Sequence, residues 1–485
     1  MNPKILKCSL LIVLIVSVSV LAATPFLVEK AGKWNIASLT EWLRLPSFHS
    51  DISQDLKVPT LKEQPRDTQI TTEGLPIHYW QTANGVSVYF VPTEGLPMLD
   101  IQLSLRVGSA HDGDRPGMTS LLASLLDEGT GELKADDLAE QIEGLGSSYG
   151  FDVDRDRTVL AFRSLTEKDI LNTGVALFSR MVTEPSMHAE AIERMRAQSL
   201  AALNQQALQP ASVAYQALLK GLYGQHPYNH PALGNREAVA AITPAELQAF
   251  HKKYYVAENA VIAMVGGVHR DLARELSEKI ARSLPKGEKN PEVVDVSPLK
   301  EAVNIQLPFA AAQSQILVAQ LGRVAGDADL FALTVGNHIL GGQDTSRLYK
   351  EIREDKGWVY GVSSNFERAL RLAPFYIGLQ TAPNKAQEAE VLVKQILTKF
   401  VSEGPSDQEL LEAKRYIAGS FPLSFSSNGQ TISLLSDYAF YNLPKDFFNT
   451  YQKNIESVTR EDVKKAFEKH IPLNTLVTVV LGNTS

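Results

Sequence analysis

Alternation of hydrophobic and polar residues with a period of two marks the first recognisable elements of this chain. Val86 to Val91 and Leu99 to Val107 follow this pattern, which is typical of half-buried β-strands. Asn84-Gly85 lies between the first of these segments and His78-Tyr79-Trp80, and this pair of residues favours a tight hairpin turn. The pattern therefore predicts that the folded part of the chain begins near Ile77 with strands.

A helical period replaces the alternation in Gly117 to Thr130, which reads GMTSLLASLLDEGT. Leu121, Leu122, Leu125 and Leu126 recur at helical spacing, and Gly129 with Thr130 ends the run. Small residues, Ser120, Ala123 and Ser124, lie along one side of it. This segment therefore predicts a short buried helix.

Two internal matches at nearly the same spacing indicate that the body of the chain is a duplication. The segment from Gly146 to Gly150 matches Gly357 to Gly361, 211 residues later. The segment 242–247 matches 458–463, 216 residues later, and an apolar strand ending in glycine follows each copy. The fold class predicted from this repeat is α+β, with two homologous domains, each an antiparallel-rich sheet with helices packed on one face.

Composition changes divide the chain into five regions. Residues 1–28 are predicted to be a signal peptide or membrane anchor, and residues 29–70 a polar tether. The two domains are expected at 71–285 and 300–485, and the polar, proline-flanked stretch 286–299 is the expected linker.

The N-terminal region has the organisation of an export signal. Lys4 and Lys7 precede an apolar segment, Leu10 to Ala23, and Val20-Leu21-Ala22 forms an acceptable cleavage site. An uncleaved anchor formed by residues 8–28 stays open, because that stretch is long enough to cross a bilayer. Either form predicts an exported, periplasmic protein, soluble or anchored to the inner membrane.

Charge and cysteine content exclude several function classes. The formal net charge is −8, and without a basic run we expect no nucleic-acid partner. The one cysteine, Cys8, lies in the leader, so the mature body has neither a thiol nucleophile nor a thiolate metal site. The predicted membrane contact is limited to the N-terminal segment.

The segment Gly117–Thr130 resembles the active-site helix of the insulinase/pitrilysin-type metallopeptidases, the inverzincins. That helix carries the inverted zinc motif His-x-x-Glu-His. On this pattern Ser120 and Ser124 replace the two histidines, and Ala123 replaces the catalytic glutamate. The segments 226–267 and 341–364 extend the resemblance over nearly the whole body. It implies two homologous domains that face each other across a cleft.

The resemblance also implies a third zinc ligand, a glutamate seventy to eighty residues after the motif. Here the corresponding region near Ala201 and Ala202 has no acid, and no carboxylate occurs between Glu193 and Glu237. Zinc requires nitrogen, sulfur or carboxylate ligands. We therefore expect this chain to bind no metal and no cofactor of its own.

Arg353 and Tyr360 match the family's Arg/Tyr pair, which reaches across the cleft to the zinc site. The spacing predicts a helix from Arg347 to about Asp355, with Gly357 ending it, followed by a strand at Val359–Ser363. Arg353 would then end the helix, and Tyr360 would return beside it. Donors of this kind stabilise the negative charge that develops on a peptide oxygen under attack.

Some bacterial members of this family work as heterodimers, in which one subunit carries zinc and the other supplies the Arg/Tyr pair. The chain is similar to that second, zinc-free subunit. The resemblance implies a homologous zinc-bearing partner, short unfolded peptides as substrate, and endoproteolysis by the pair. The alternative is a pseudoenzyme that serves as a structural or peptide-binding scaffold without proteolysis.

Overall fold

The computed structural model describes residues 75–444 and 446–482 of the 485-residue chain. The predicted leader, residues 1–28, and the predicted tether, residues 29–70, lie outside the described residues. Across the described residues, no helix combines the length and the hydropathy that crossing a membrane requires.

In its described residues the first half has eight strands and eight α-helices. Its strands are β1 His78–Gln81, β2 Ser87–Pro92, β3 Met98–Leu105, β4 Gly129–Thr130, β5 Leu133–Lys134, β6 Ser148–Val153, β7 Thr158–Leu165 and β8 Ala260–Gly266. Its helices are α1 Met118–Ala123, α2 Ala135–Gly144, α3 Lys168–Thr183, α4 Ala189–Ala207, α5 Pro210–Tyr223, α6 Arg236–Ala241, α7 Pro244–Tyr254 and α8 Arg270–Ser283. The hairpin predicted at Asn84-Gly85 is confirmed, since β1 and β2 pair antiparallel on either side of it.

The second half follows an irregular stretch, residues 285–302, and has five strands and six α-helices. Its strands are β9 Val303–Pro308, β10 Ser314–Leu321, β11 Val359–Phe366, β12 Pro374–Thr381 and β13 Val477–Gly482. Its helices are α9 Leu330–Leu340, a π-helix at Tyr349–Glu354, α10 Ala386–Glu403, α11 Asp407–Ser420, α12 Asn428–Phe440, α13 Phe447–Ser457 and α14 Arg460–His470.

Five strands of the first main sheet match the five strands of the second in order and in pairing direction, and β1 is an additional strand of the first. The first has the order β1-β2-β8-β3-β7-β6, and the second has the order β9-β13-β10-β12-β11. Each contains one parallel pair, β2 with β8 and β9 with β13, and its other pairs are antiparallel. The prediction of two homologous α+β domains with antiparallel-rich sheets is confirmed.

The repeated sequence segments occupy equivalent places in the two halves. Gly146 and Gly357, which precede the outer strands β6 and β11, have φ values of +61° and +64°, where glycine is favoured because it has no Cβ. Thr243 and Thr459 cap α7 and α14, each in a capping box with an acidic residue three positions later. A glycine with positive φ therefore precedes the outer strand in each half, and a capping box begins the equivalent helix in each half.

Helices of each half cover one face of its own sheet, and a helix from the other half covers the opposite face. Alternate residues of β8, such as Ile262 and Met264, lie in the core of the first half. Their neighbours Ala263 and Val265 pack with residues of α12 from the second half. Reciprocally, α5 of the first half packs on β10 and β13, and a Cβ on its Gly221 would lie 2.8 Å from Val477.

The hairpin turns between β6–β7 and β11–β12 also meet, one from each half. Arg155 Nη1 donates to Glu367 Oε2 at 2.6 Å, and the side chains of both residues are more than four-fifths buried. Asp156 Oδ2 accepts from the main-chain nitrogen of Leu370 at 2.7 Å. Buried hydrogen bonds of this kind join the two halves at these turns and help to fix their mutual orientation.

Candidate functional site

Ser120, Ala123 and Ser124, the positions of the altered zinc motif, are called the degenerate motif below. The helix that carries this motif is shorter than the sequence predicts. It spans Met118–Ala123, and Ser124 is its C-cap. The Ser124 hydroxyl donates to the carbonyl oxygen of Leu121 at 2.8 Å, the acceptor that the next helical turn would use. Leu125 instead donates to Leu122 at 3.0 Å. Serine side chains compete with helical hydrogen bonds in this way, and the prediction of a longer helix is wrong for that reason.

The three degenerate positions offer a metal ion neither an imidazole nor a carboxylate. The Ser120 hydroxyl donates to the carbonyl oxygen of Ala232 at 2.5 Å, and that of Ser124 is bonded to the preceding turn. Ala123 is 4% exposed and faces the core. A zinc ion requires imidazole, thiolate or carboxylate donors. The residues present therefore do not fit the ion that the family motif holds.

Asp112 fixes the start of this helix. Its Oδ2 accepts from the main-chain nitrogen of Gly117 at 2.7 Å, and its Oδ1 accepts from that of Thr119 at 2.9 Å. Gly117 has φ +100°, and a Cβ there would lie 2.8 Å from the carbonyl oxygen of Leu233. Burial raises the pKa of Asp112 to about 6, although these hydrogen bonds lower it. The scaffold of the lost zinc site is thus kept by a buried carboxyl.

The helix on which the family places its third ligand is α4, which neighbours α1. Ala201 and Ala202 lie on it and are exposed. Among the described residues, one group of three potential metal ligands lies close together, Asp327, Asp329 and His470 in the second half. His470 contacts the carbonyl oxygen of Gly322 and a carboxylate oxygen of Asp329, so its two nitrogens are already partnered.

Arg353 and Tyr360 are brought together as the spacing predicts, although the helix between Arg347 and Glu354 is mainly a π-helix. Arg353 Nε donates to the main-chain oxygen of Tyr360 at 2.9 Å, and its guanidinium lies 5.1 Å from the ring centre of Tyr349. π-Helical turns occur frequently at functional sites. In this arrangement Arg353 positions the strand that carries Tyr360.

Tyr360 lies on the outer strand β11, at an irregularity in its pairing between Val359 and Val362. The side chain is 85% exposed, which is unusual for a residue with so large an apolar ring. Among the described strands β11 pairs on one side only, so none of them covers the edge beyond Tyr360. The side chain can therefore contact a group that another molecule presents.

The cleft between the two halves forms a cavity of about 1060 Å³ that is open to solvent. One wall comes from the first half, where Ser109, Tyr215 and His230 line it. The other wall comes from β10, β11 and β12 of the second half and includes Tyr360. Ala232, which holds the Ser120 hydroxyl, also lines the cavity. The structure thus places Tyr360 in the same cleft as the loop that abuts the degenerate motif.

Sequence reasoning missed the polar residues of the cavity wall. Gln315 on β10 and Gln206 on α4 line the cavity, together with Tyr215 and Tyr376. Gln315 lies at the start of the otherwise apolar strand SQILVAQL, and a polar residue in such a strand is the signal that could have been used. Arg155 and Glu367 are 212 residues apart in the sequence, so no local sequence pattern predicts their contact.

Comparison with protein families gives two adjacent matches. Residues 96–236 match the insulinase family, peptidase family M16, and residues 241–417 match the peptidase M16 inactive domain. The chain is 26% identical over 406 residues to "Non-peptidase homolog YmxG" of Helicobacter pylori, covering 82% of this chain and 92% of that protein. It is 22% identical to "Uncharacterized zinc protease YmxG" of Bacillus subtilis, covering 72% of this chain and 85% of that protein.

Solved structures with the same fold include a protein of peptidase family M16. A crystal structure of a peptidase M16 inactive domain from Pseudomonas fluorescens is 35% identical, with a TM-score of 0.82 over 85% of this chain and 99% of that one. The crystal structure of a protease from Helicobacter pylori has the same fold, with a TM-score of 0.79 at 19% identity, over 84% of this chain and 100% of that one. With the repeated sheets, the cleft and the altered motif, these matches establish that the chain belongs to the insulinase family, peptidase family M16.

Proposed function

We propose that this chain is the zinc-free subunit of an exported zinc metalloendopeptidase complex and supplies Arg353 and Tyr360 to the zinc site of a homologous partner. The observation that carries the proposal is the contrast between the two halves. The degenerate motif has its hydroxyls bonded to main-chain carbonyls, whereas Tyr360 is 85% exposed at an open sheet edge and held by Arg353.

In this proposal the two subunits supply different groups to the reaction. The zinc-bearing subunit would supply the ion, the activated water and the general base. Tyr360 would donate a hydrogen bond to the peptide oxygen as negative charge develops there, and Arg353 would hold Tyr360 in place and add positive charge. Donors of this type are worth about 10²- to 10³-fold in kcat when they are fixed before the reaction.

The substrates in this proposal are short unfolded peptides. The edge of β11 and the cavity of about 1060 Å³ offer an extended segment both a strand to pair with and a limited space. The proposal also includes export of the chain through residues 8–28, which lie outside the described residues. Detection of the native protein in a periplasmic or inner-membrane fraction tests that component.

The test is a peptidase assay on this chain alone, on a zinc-bearing homologue from the same genome alone, and on the two mixed, with zinc measured in each. We expect activity in the mixture only. Tyr360→Phe should lower kcat of the mixture about 10²- to 10³-fold without loss of assembly. Tyr416→Phe, which alters another exposed tyrosine outside the cavity, is the matched control and should leave kcat unchanged.

Equal turnover by the Tyr360→Phe mixture would show that the assigned role is wrong. No gain on mixing would instead support the scaffold alternative. Zinc and activity in this chain alone would overturn the interpretation of the altered motif. Arg353→Lys keeps the charge but removes the Nε donor to Tyr360, so the proposal expects it to lower kcat as well.

A further inference from the structure

Arg323 is a buried arginine that forms no ion pair with any described residue. It follows β10 and is 7% exposed. The one hydrogen bond of its guanidinium runs from Nη1 to the carbonyl oxygen of Val324 at 3.3 Å. Burying a charge is costly unless the charge is paired and hydrogen-bonded. A guanidinium in this environment therefore requires an anionic partner.

Arg196 shows how the protein treats a comparable side chain. Of the described arginines, Arg196 and Arg323 are the two that are less than a tenth exposed. Arg196 donates from Nη2 to the carbonyl oxygen of Ile242 at 2.7 Å, and its Nε lies 3.2 Å from a carboxylate oxygen of Glu193. The contrast indicates that the partner of Arg323 is not a residue of the described chain.

Two donors of Arg323 are unused by the described residues and accessible to solvent. Its Nε and Nη2 have no hydrogen-bond acceptor there, and neither is among the unpaired atoms that are sealed from solvent, as Arg155 Nε is. Arg347 uses the same two nitrogens to bind both carboxylate oxygens of Glu409, at 2.6 and 2.8 Å. This side of a guanidinium binds two oxygen atoms of one anion. The free side of Arg323 therefore matches an oxyanion.

The main chain brings a second guanidinium close to the first. The main-chain nitrogen of Ala373 donates to the carbonyl oxygen of Arg323 at 3.0 Å, and that of Ala325 donates to the carbonyl oxygen of Ala369 at 2.8 Å. The segment 323–325 therefore runs along the turn between β11 and β12, where Arg368 lies. Burial, and then the positive charge of Arg368, lower the pKa of Arg323 to about 10. An anion bound here would be attracted by both charges.

The carboxylates nearby are already engaged. Asp437 pairs with both Arg157 and Arg368, so one carboxylate serves two guanidiniums. Asp327 also attracts the buried guanidinium, but it forms no ion pair with it, and its Oδ1 lies 3.6 Å from Nε2 of His470. Neither carboxylate is therefore a direct partner for the buried charge.

The Tyr451 hydroxyl is a further donor at this place. Its ring is stacked on that of Phe421, with ring centres 4.1 Å apart and an angle of 11° between the planes, so its position is fixed. Burial raises the pKa of Tyr451, and the charges of Arg368 and Arg323 lower it, which places the hydroxyl near both guanidiniums. No described residue forms a hydrogen bond with it, and it is not sealed from solvent.

We infer that Arg323, Arg368 and the Tyr451 hydroxyl form a binding site for a small tetrahedral oxyanion such as inorganic phosphate. The side of Arg323 binds two of its oxygens, and the hydroxyl and Arg368 face the others. A carboxylate has two oxygens and would leave donors unused. None of the three residues lines the cavity between the halves, and the inference does not rest on the proposed function.

The experiment is thermal unfolding of the complete chain at neutral pH as inorganic phosphate is added, with the ionic strength held constant by sodium chloride. We expect a saturable rise in Tm, because a ligand that binds the native state stabilises it. Acetate at the same concentration should raise Tm less. Isothermal titration calorimetry should show that Arg323→Met weakens phosphate binding roughly tenfold or more, because hydrogen bonds to charged groups are the stronger ones.

Stability without phosphate separates loss of binding from loss of folding. Arg323→Met removes a buried unpaired charge, so its Tm in phosphate-free buffer should equal or exceed that of the parent chain. Arg196→Met should lower Tm, because it leaves buried carbonyl oxygens without their donor. Tyr451→Phe keeps the stacked ring and should weaken phosphate binding severalfold. Arg415→Met, at an exposed position, is the binding control.

A rise in Tm no larger with phosphate than with chloride at equal ionic strength would overturn the inference. Phosphate binding by Arg323→Met within twofold of the parent chain would also overturn it. If that variant does not fold, Tyr451→Phe decides, since unchanged phosphate binding in it would show that the hydroxyl is no part of a site. None of these results depends on peptidase activity of a mixture, so the helper role is tested separately.

Discussion

Individual carboxyl groups in the interior of this protein are held by hydrogen bonds rather than by water. Asp112 accepts from the first turn of α1, and Asp156 accepts from the Tyr228 hydroxyl and from the main chain of Leu370. Burial raises the pKa of each carboxyl to about 6, because the loss of solvation outweighs these bonds. Each carboxyl is therefore expected to titrate near pH 6.

These raised pKa values predict how stability depends on pH. A carboxyl with a folded pKa of about 6 and an unfolded pKa of about 3.9 binds its proton more tightly in the native state. Its contribution to stability is therefore largest below about pH 4, falls as pH rises to about 6, and is constant above that. The difference is on the order of 3 kcal/mol for each group, from about 1.4 kcal/mol per pKa unit.

The measurement is the midpoint of urea unfolding at intervals between about pH 4 and pH 7. Asp156→Asn should reduce the fall in midpoint between about pH 4 and pH 6 without abolishing it, because one titrating proton is removed and that of Asp112 remains. Glu301→Gln changes an exposed carboxyl and should leave the slope as it is. An identical slope in Asp156→Asn and the parent chain would show that Asp156 titrates normally.

At the scale of elements, the strands and the repeat could be predicted from the sequence, whereas the end of α1 could not. Alternation and glycine positions are local, and they predicted the strand β11 and the repeat of segments 242–247 and 458–463. The end of α1 depends on which acceptor the Ser124 hydroxyl chooses. The periodicity of leucines does not report that choice, since Leu125 and Leu126 are buried with or without the helix.

Whether a glutamine of β10 has a hydrogen-bond partner also depends on residues that are distant in the sequence. Gln315 and Gln320 are both polar residues in one buried strand. Gln320 has partners for its amide in the segment 472–475, whereas Gln315 Oε1 has none among the described residues. Their difference comes from the residues that the fold brings opposite them, so the strand sequence alone does not tell which glutamine amide has hydrogen-bond partners.

The shortness of α1 predicts that restoring the motif will not restore a zinc site. In the triple variant Ser120→His, Ala123→Glu, Ser124→His, the second histidine would lie at the helix end and the glutamate at a position 4% exposed. A third ligand would still be missing, since α4 carries no acid near Ala201. We expect no stoichiometric zinc after dialysis and a lower Tm than the parent chain, because the carboxylate introduced by Ala123→Glu would be buried without a partner.

Zinc content is measured by inductively coupled plasma mass spectrometry, with a zinc-bearing homologue dialysed in parallel as the positive control. One equivalent of tightly bound zinc in the triple variant would contradict the prediction. It would mean that the helix extends when the family residues are present and that another group completes the site. Sub-stoichiometric zinc removed by a weak chelator would agree with two isolated histidines.

At the scale of the whole molecule, the two halves depend on each other for their cores. The face of the first sheet formed by Val91, Ala263 and Val265 packs on α12, and the corresponding face of the second sheet packs on α5. Ser104 and Ser436 also share a hydrogen bond of 3.1 Å across the first of these contacts. Removing either half would expose a large apolar surface on the other.

We therefore expect fragments 75–285 and 300–482 to be unable to fold separately. Each should aggregate or bind the dye ANS strongly when produced alone, and the two should form a soluble complex when produced together. A full-length chain cut by an inserted protease site within 286–299 is the control and should stay folded, because the contacts between halves persist. Cooperative unfolding of either fragment alone would contradict the prediction.

Helices α5 and α12 each pack on the sheet of the other half, and this packing bears on how a duplicated chain can arise. A single ancestral repeat would have had the sheet face that needs a foreign helix and the helix that supplies it, so two copies would satisfy each other around a twofold axis. In such a history, fusion through a segment such as 286–299 would turn an encounter between molecules into one within a chain, at a high effective concentration. Joined copies need not stay identical: one can vary at the positions of the zinc motif while the other keeps an exposed tyrosine, which a symmetric homodimer cannot do.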